Sequence, residues 1–446
     1  MIVWKGGAES FSIRSDTQEE SKEEPVHFDL KYGKSTLPLE IDDTQILDVI
    51  HPGNQPPLED TSSAVERVLR NPLGTAALET LIRKRSPERL VIVVNDITRP
   101  TPYSVLMPPL LRTIEDAGTP RENITLITAT GIHSPHTPEE NLQAYGKDLV
   151  ENYRIICHDA EDEANLVHKG RLPSGYDFLL NRTVDEADFL ITIGVVMPHF
   201  FAGYSGGRKS ILPGVSGKST VQLNHARMVE LMDDLPPIRE NPISLEMIQA
   251  ARMAKVDFIL NAVSNDDGEV INVYAGDLEE AWYAAVEKSE ELYITKIPEL
   301  ADITVVSASG FPRDINIYQA QKALDHADKA TRRGGTIILL AECSGAYGDE
   351  VFENFMKKGL SPEGIMQEVR ENFVMGGHKA YCFAKVAAEK QVILVSSASE
   401  QVTSSLFAEK AESPREALER ALRRHGKNAA IRIMPEGGVT VPSLVS

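Results

Sequence analysis

The sequence predicts an α/β fold built from two α/β domains with mostly parallel sheets. Short apolar runs alternate with helix-length amphipathic segments along most of the 446 residues, and such alternation is typical of parallel sheets covered by helices. The alternation stops at residues 293–302 and then resumes, which indicates a linker between two domains. Because ligands often bind between domains, we expect the active site in the interdomain cleft.

The elements follow in order along the chain. Residues 1–26, acidic and polar between 15 and 25, are predicted to be a variable or disordered leader. The N-terminal cofactor-binding domain is predicted over 27–292 and the C-terminal domain over 303–429, with the tail 430–446 returning to the first domain. Strands are predicted at 28–32, 35–41, 90–94, 124–128, 189–196, 258–263, 303–307, 336–341 and 392–396, and helices at 103–117, 138–145 and 243–254.

Composition narrows the range of functions. A formal net charge of −20 argues against non-specific nucleic-acid binding, which requires a basic surface. The 3 cysteines are widely spaced and form no CxxC motif, as expected for a reducing compartment. No apolar run approaches the roughly 18 residues of a membrane span. We expect a soluble, cytoplasmic protein with neither nucleic acid nor membrane as a partner.

Polar clusters follow three of the predicted strands, at 95–100, 129–134 and 197–214. In open α/β sheets, ligands bind beyond the carboxyl ends of the strands. In the first cluster, Arg99 is suited to hold a carboxylate or phosphate through two parallel hydrogen bonds. The alternative is a local ion pair between Asp96 and Arg99 that stiffens the turn.

Two histidines stand in the other two clusters, His133 and His199. Histidine titrates near neutrality and can both give and take a proton. A single histidine is ordinarily structural. A pair at neighbouring strand ends favours acid/base chemistry on both faces of one carbon.

The third cluster is rich in glycine, and its backbone at Ser205, Gly206 and Gly207 is suited to receive a phosphate. Lys209 and Lys218 both fail the Walker pattern, since Leu212 stands where Lys218 would need a glycine. A phosphate-binding transferase or kinase therefore stays as an alternative.

His225 has no histidine or cysteine partner at the spacing of a self-contained zinc site. If it binds a metal, the other ligands come from elsewhere, for example from a cofactor that brings its own donors. In the second domain, Gln319 and Lys322 share one helix face beside Tyr318. A solvated helix face is the alternative there.

Together these residues resemble the nickel-dependent lactate racemases. The resemblance covers the chain from about residue 27 to its end, and the separations agree with the family pattern: 66 residues from His133 to His199, 10 more to Lys209 and 16 more to His225. The residues that carry it are Asp96, Arg99, Gly131, His133, the segment 199–209, His225, Tyr318, Gln319 and Lys322.

The resemblance implies a specific cofactor, the nickel pincer nucleotide (pyridinium-3,5-bisthiocarboxylic acid mononucleotide nickel), which other enzymes synthesise and supply. Lys209 would bind it covalently through a thioamide. His225 would be the fourth ligand of the nickel, which suits its near-planar geometry.

The resemblance also implies the reaction, inversion of C2 in a 2-hydroxy acid by a racemase or epimerase. One of His133 and His199 would take the hydroxyl proton while hydride passes to the cofactor, giving a transient 2-oxo acid, and the other would act on the opposite face. Arg99 would bind the substrate carboxylate together with Gln319 and Lys322. Asp96 would orient Arg99 or a neighbour, and Tyr318 would line the pocket.

One departure concerns the substrate. The lactate-specific pattern carries a tryptophan late in the second domain, whereas the 2 tryptophans here are Trp4 and Trp282. His378 or Tyr381 is expected at that wall, which leaves a more polar hydroxy acid open, such as a dicarboxylate or a sugar acid. A non-catalytic relative that only binds the cofactor is a further alternative.

Overall fold

The computed structural model describes residues 25–231, 235–265 and 267–445. The predicted leader therefore lies almost wholly outside the described residues. No helix within these ranges is long and apolar enough to cross a membrane.

The strands of the described residues are β1 (Val26–Tyr32), β2 (Ser35–Ile41), β3 (Ile46–Val49), β4 (Leu90–Asn95), β5 (Ile124–Ala129), β6 (Arg154–Cys157), β7 (Leu166–Arg171), β8 (Asp177–Asn181), β9 (Phe189–Val195), β10 (Pro198–His199), β11 (Gly203–Tyr204), β12 (Phe258–Ser264), β13 (Val270–Gly276), β14 (Ile294–Ile297), β15 (Ala301–Ser307), β16 (Thr331–Leu340), β17 (Gln391–Val395), β18 (Glu409–Ala411), β19 (Ile431–Met434) and β20 (Val441–Leu444).

The α helices of the same ranges are α1 (Thr61–Arg70), α2 (Leu78–Arg85), α3 (Tyr103–Asp116), α4 (Pro138–Tyr145), α5 (Lys147–Asn152), α6 (Arg182–Asp185), α7 (Lys218–Ala226), α8 (Pro242–Met253), α9 (Glu280–Tyr293), α10 (Ile317–Ala330), α11 (Glu350–Met356), α12 (Pro362–Glu371), α13 (Gly377–Glu389), α14 (Glu400–Ser405) and α15 (Pro414–His425).

The first large sheet has the strand order β13-β12-β9-β4-β5-β6. All neighbours are parallel except β12 and β13, which are antiparallel. Because successive side chains of a strand point to opposite faces, Ile92 and Val94 of β4 pack in one core, while Val91 and Val93 pack in another that contains Trp282. Burial on both faces explains why these strands read as unbroken apolar runs.

The second large sheet has the order β18-β17-β16-β15-β19-β3 and is parallel throughout. The α/β fold with two mostly parallel sheets is thus confirmed. The two ends of the chain pair differently from the sequence prediction. The sequence predicts residues 27–49 and 430–446 in the first domain, but β3 and β19 both lie in the second sheet. The predicted linker also contains a strand, β14, which pairs with β20.

Side-chain contacts explain that placement. Ile431 and Ile433 of β19 pack in the core that holds Leu30 and Leu39 of the β1-β2 hairpin. The buried Arg432 donates to both carboxylate oxygens of Asp48 in β3, at 2.6 and 2.8 Å. This bidentate ion pair fixes the register of β19 relative to β3.

Candidate active site

The three polar clusters of the first sheet meet at one edge. They follow β5, β4 and β9, which are consecutive strands of the sheet, so their carboxyl ends lie side by side. Gly131, at a left-handed φ of 58°, lies in the loop after β5. Its amide donates to the carbonyl oxygen of Gly214 at 2.9 Å, which joins the second cluster to the third.

His133 is held by the carboxylate of Asp96, with 2.6 Å between Nδ1 and Oδ2. The hydroxyl of Thr98 donates to the other carboxylate oxygen at 2.7 Å. Burial raises the pKa of Asp96, but the hydrogen bonds from His133 and Thr98 outweigh it, so the pKa lies below its usual value. An ionised Asp96 therefore fixes the proton on Nδ1 of His133 and leaves Nε2 for exchange with a substrate. The Asp96–Arg99 ion pair is not formed, since the Arg99 guanidinium donates to Thr98 instead.

His136, the other histidine of this loop, has a structural part. Its Nε2 accepts a hydrogen bond from the amide of Ile97 at 3.0 Å, and its Nδ1 lies 3.1 Å from Oδ1 of Asn141. With both nitrogens used, His136 holds the turn after β4 in place.

His199 and Lys209 are direct neighbours, with 2.8 Å between Nε2 and Nζ. Burial lowers the pKa of His199 well below its usual value, and the positive charges of Lys209 and Arg99 act in the same direction. Burial likewise lowers the pKa of Lys209, with Arg99 and Arg208 adding to it. Both shifts favour the uncharged forms, an imidazole that can act as a base and an amine that can act as a nucleophile.

The loop that carries these two residues is fixed by Arg208, which is fully buried. Its guanidinium donates to the carbonyl oxygens of Tyr204 and Ala202 at 2.9 and 2.7 Å, and to the hydroxyl of Ser244 at 2.9 Å. It also lies 3.6 Å from the ring centroid of Trp282. Buried carbonyls require such partners, so Arg208 holds the backbone between His199 and Lys209.

Ser205, Gly206 and Gly207 already have structural contacts. The hydroxyl of Ser205 donates to the carbonyl oxygen of Val195 at 2.6 Å, and the amide of Gly207 donates to Oδ1 of Asn261 at 3.0 Å. A Cβ on Gly206 would stand 2.7 Å from that same Asn261 oxygen. Close packing of this kind explains why glycine is required in this segment. The binding of a phosphate by Ser205, Gly206 and Gly207 stays a prediction.

His225 lies in α7, where its Nδ1 donates to the carbonyl oxygen of Val221 at 3.0 Å. Burial lowers the pKa of His225 to about 3, and the charge of Lys209 acts in the same direction. The ring is therefore neutral, and its Nε2 carries a free lone pair, the form in which histidine binds metals. Across the described ranges, no three His, Cys, Asp or Glu side chains lie together as a metal site. If His225 binds a metal, the other ligands must come from outside these residues.

Tyr318, Gln319 and Lys322 lie on the first turns of α10, after β15. The side chain of Asn316 caps this helix by accepting from the amide of Gln319 at 2.9 Å. Burial lowers the pKa of Lys322 to about 8, and Lys379 and Arg99 contribute through their charges. Because Arg99 follows a strand of the first sheet, charges from both halves of the molecule act on Lys322.

Direct contacts between the halves run through His378 and Lys379, at the start of α13. The ring of His378 stacks on Phe200 with 5.2 Å between centroids and 17° between planes, and meets Tyr318 edge-on at 6.1 Å. Of the two residues expected at the pocket wall, His378 therefore lies with the site residues, whereas Tyr381 is buried in the second core and accepts from Arg370 at 2.5 Å.

Lys379 is a site residue that the sequence reasoning missed. It is buried, and its Nζ lies 5.6 Å from the ring centroid of Phe200 and 5.3 Å from that of Tyr318. The available signal was its position beside His378 after a double glycine. A lysine on a helix is ordinarily read as solvent-exposed, and only packing reveals the contrary.

Comparison with known proteins identifies similar chains. Residues 32–233 match the family model of the lactate racemase N-terminal domain, and residues 294–442 match that of the lactate racemase C-terminal domain. The lactate racemase of Lactiplantibacillus plantarum is 35% identical over 434 residues, which cover 93% of this chain and 100% of that protein. The lactate racemase of Thermoanaerobacterium thermosaccharolyticum is 32% identical over 423 residues, covering 92% and 98%.

Solved structures agree. The lactate racemase apoprotein of Thermoanaerobacterium thermosaccharolyticum superposes with a TM-score of 0.87 at 31% identity, covering 94% of this chain and 100% of that one. A protein from Thermotoga maritima shares the fold with a TM-score of 0.61 at 19% identity, covering 89% and 100%.

Proposed function

Because the chain belongs to the lactate racemase family and is an isomerase, we propose that it inverts C2 of a 2-hydroxy acid with His133 and His199 as acid and base. The observation that carries the proposal is the pair of histidines beyond the carboxyl ends of β5 and β9, each with a defined neighbour. Both similar enzymes are named lactate racemases, which makes lactate one candidate substrate and a more polar hydroxy acid the other.

The two histidines stand in opposite electrostatic environments. His133 is hydrogen-bonded to the carboxylate of Asp96, whereas His199 is buried beside Lys209, which lowers the pKa of His199. Two histidines with such different neighbours are suited to act as a pair of acid and base. We propose that one histidine takes the proton of the C2 hydroxyl and that the other returns one on the opposite face, so the roles exchange with the direction of the reaction.

The family is nickel-dependent, and the residues present fit the nickel pincer nucleotide. Lys209 offers an amine whose pKa burial lowers, which favours the nucleophilic form for the covalent bond, and His225 offers one free nitrogen as the ligand of nickel. When bound, the cofactor supplies the hydride acceptor that the reaction needs, because the C2 hydrogen is too weakly acidic for histidine alone. We propose that enzymes of cofactor biosynthesis supply it, and that the protein works in the cytoplasm.

Substrate placement is proposed for the residues of the interdomain cleft. Arg99 is suited to hold the C1 carboxylate, since its guanidinium is bonded only to the neighbouring Thr98 among the described residues. Lys322 and Gln319 approach from α10, and Tyr318 lines the pocket. A carboxylate held from both halves would place C2 between the two histidines.

The test combines cofactor loading with a chiral assay. The protein is co-expressed with the cofactor-synthesis enzymes, and intact mass and nickel content are measured before racemisation of lactate and other 2-hydroxy acids. We expect a covalent adduct, one nickel per chain, and loss of racemisation in His133→Ala and His199→Ala. His168→Ala, an exposed histidine paired with Asp177, is the matched control. Full activity in both site variants would contradict the two-histidine mechanism.

A further inference from the structure

We infer that His378 and Lys379 form the far end of the substrate pocket and select a 2-hydroxy acid that carries a second carboxylate, a 2-hydroxy dicarboxylate. The inference rests on the proposed function, because it names the substrate class of that same site. Its basis is a pair of buried polar side chains that the proposed proton chemistry does not use.

The two residues occupy the first turn of α13, a helix of 13 residues. A Cβ on Gly377 would stand 2.7 Å from the ring of Phe355, and Gly376 has a φ of 101°. The double glycine therefore lets the start of the helix lie against α11, and no side chain caps it. The amide groups of a first turn carry partial positive charge and favour an anion.

His378 has an unused hydrogen-bonding atom. The residue is 7% exposed, and its Nδ1 has no hydrogen-bond partner in the part of the chain that the structure describes. The ring stacks on Phe200, which directly follows His199. A buried polar nitrogen without a partner is unfavourable, and a substrate oxygen would satisfy it.

Among the described residues, Lys379 has no carboxylate in direct contact. Burial lowers the pKa of Lys379, while the charge of Asp325 acts in the opposite direction. Lys379 is 5% exposed, and its Nζ donates to Oε1 of Gln321 at 2.6 Å. Within the described ranges it forms no ion pair with a carboxylate. A buried ammonium bonded to a neutral amide gains more from an added anion than a solvated one, because the surroundings screen the attraction less.

The balance of charge distinguishes a dicarboxylate from a neutral polar substrate. The protein carries a formal net charge of −20, yet Lys379 and Arg99 are close enough to Lys322 to act on its pKa. One carboxylate held by Arg99 and Lys322 leaves Lys379 without an anion in direct contact. A second carboxylate would compensate it and accept a hydrogen bond from His378, whereas the hydroxyl groups of a sugar acid carry no charge.

The test compares 2-hydroxysuccinate with lactate on the cofactor-loaded enzyme. For the wild type we expect kcat/KM to be about tenfold or more higher for 2-hydroxysuccinate, since a site with buried polar groups rejects a substrate that leaves them unpaired. Lys379→Met should lower kcat/KM for the dicarboxylate by about a hundredfold, mainly through KM, and change that for lactate by less than about threefold. His378→Phe, which keeps a ring against Phe200, should shift the preference in the same direction by a smaller factor.

Lys427→Met is the control, because Lys427 is exposed and lies before the first residue of β19, at the amino-terminal end of that strand. Melting temperature and cofactor content are measured for each variant. A wild type that prefers lactate, or a Lys379→Met variant that loses both activities equally, would overturn the inference. Loss of cofactor content in Lys379→Met would overturn it too, since Lys379 would then hold the phosphate of the cofactor.

Failure of the proposed racemase function can be distinguished from failure of the inferred dicarboxylate pocket. If the loaded wild type racemises neither acid, calorimetric titration of the same protein with 2-hydroxysuccinate still decides the inference. Binding that is weakened about tenfold or more in Lys379→Met would support the dicarboxylate pocket even without turnover, and absence of binding to the wild type would reject it.

Discussion

The loop at 197–214 and the helix starts of α10 and α13 face the same region but are built in opposite ways. In the loop, polar groups have protein partners: Arg208 holds carbonyl oxygens, Asn261 holds an amide, and Lys209 touches His199. At the helix starts, and among the described residues, Nδ1 of His378 has no hydrogen-bond partner and Lys379 forms no ion pair with a carboxylate. The loop thus holds its polar groups in place through the protein itself, whereas the start of α13 presents polar groups that a ligand would satisfy.

The largest expected effect is that of replacing Lys209 in the loop at 197–214. Lys209→Ala removes the amine proposed to bind the cofactor, so we expect no covalent adduct and no detectable racemisation. Intact mass after denaturation measures the adduct directly. Lys218→Ala is the control, because Lys218 is exposed and paired with Glu161. An adduct of unchanged mass on the Lys209→Ala protein would contradict the assignment.

The next largest effect is expected from breaking the hydrogen bond between Asp96 and His133. General acid–base catalysis contributes roughly 10²–10⁴ in rate, and we expect His133→Ala to lower kcat by about that factor. Asp96→Asn should lose nearly as much, because an amide no longer fixes the proton on Nδ1. Chiral assay over time measures both.

Thr98→Val is the matched control for that pair. It removes the second hydrogen bond to Asp96 but leaves the bond to His133, so we expect a loss of less than about tenfold. Wild-type kcat in Asp96→Asn would show that the carboxylate does not position the histidine.

Removal of the buried guanidinium tests whether the loop depends on its partners. Arg208→Met leaves the carbonyl oxygens of Tyr204 and Ala202 without donors, each at a cost of about 1–3 kcal/mol. We expect a lower melting temperature, and a free energy of unfolding reduced by about 3 kcal/mol. Arg239→Met is the control, because Arg239 also lies over an aromatic ring, that of Tyr283, but is exposed. Equal melting temperatures for the two variants would contradict the role of Arg208.

The smallest expected effect concerns pH. The pKa of Lys322 is lowered to about 8 by burial and by the charges of Lys379 and Arg99, so its positive charge is lost as pH rises through about 8. Attraction for the substrate carboxylate falls with it, and we expect kcat/KM to decline by about tenfold at higher pH, the factor that 1.4 kcal/mol represents. Lys322→Arg keeps its charge, so its profile should stay flat there. A decline of the same size in that variant would assign the titration to another group.

The local pattern of apolar and polar residues was sufficient to predict the strands and helices of the fold. The runs that begin at residues 90, 124, 189 and 258 are strands because each is mostly apolar and is largely buried on both faces of a sheet. The helix predicted at 138–145 begins with a capping box of Thr137 and Glu140, whose bonds are local in the chain. Contacts between neighbours in sequence can be read from the sequence itself.

Connectivity over long separations was not accessible in the same way. The place of β19 in the second sheet depends on Arg432 and Asp48, which lie 384 positions apart. The local sequence pattern predicts that β19 is a strand. It does not predict which strand β19 pairs with, because pairing depends on residues distant in the chain.

The same division applies to the site. The sequence shows which residue types follow the strands, and their spacing indicates His133, His199, Lys209 and His225. The tertiary structure sets their states: the bond to Val221 leaves Nε2 of His225 free, and burial lowers the pKa of Lys209. It alone revealed that Lys379 is buried, because burial and pKa depend on packing between segments that the sequence keeps far apart.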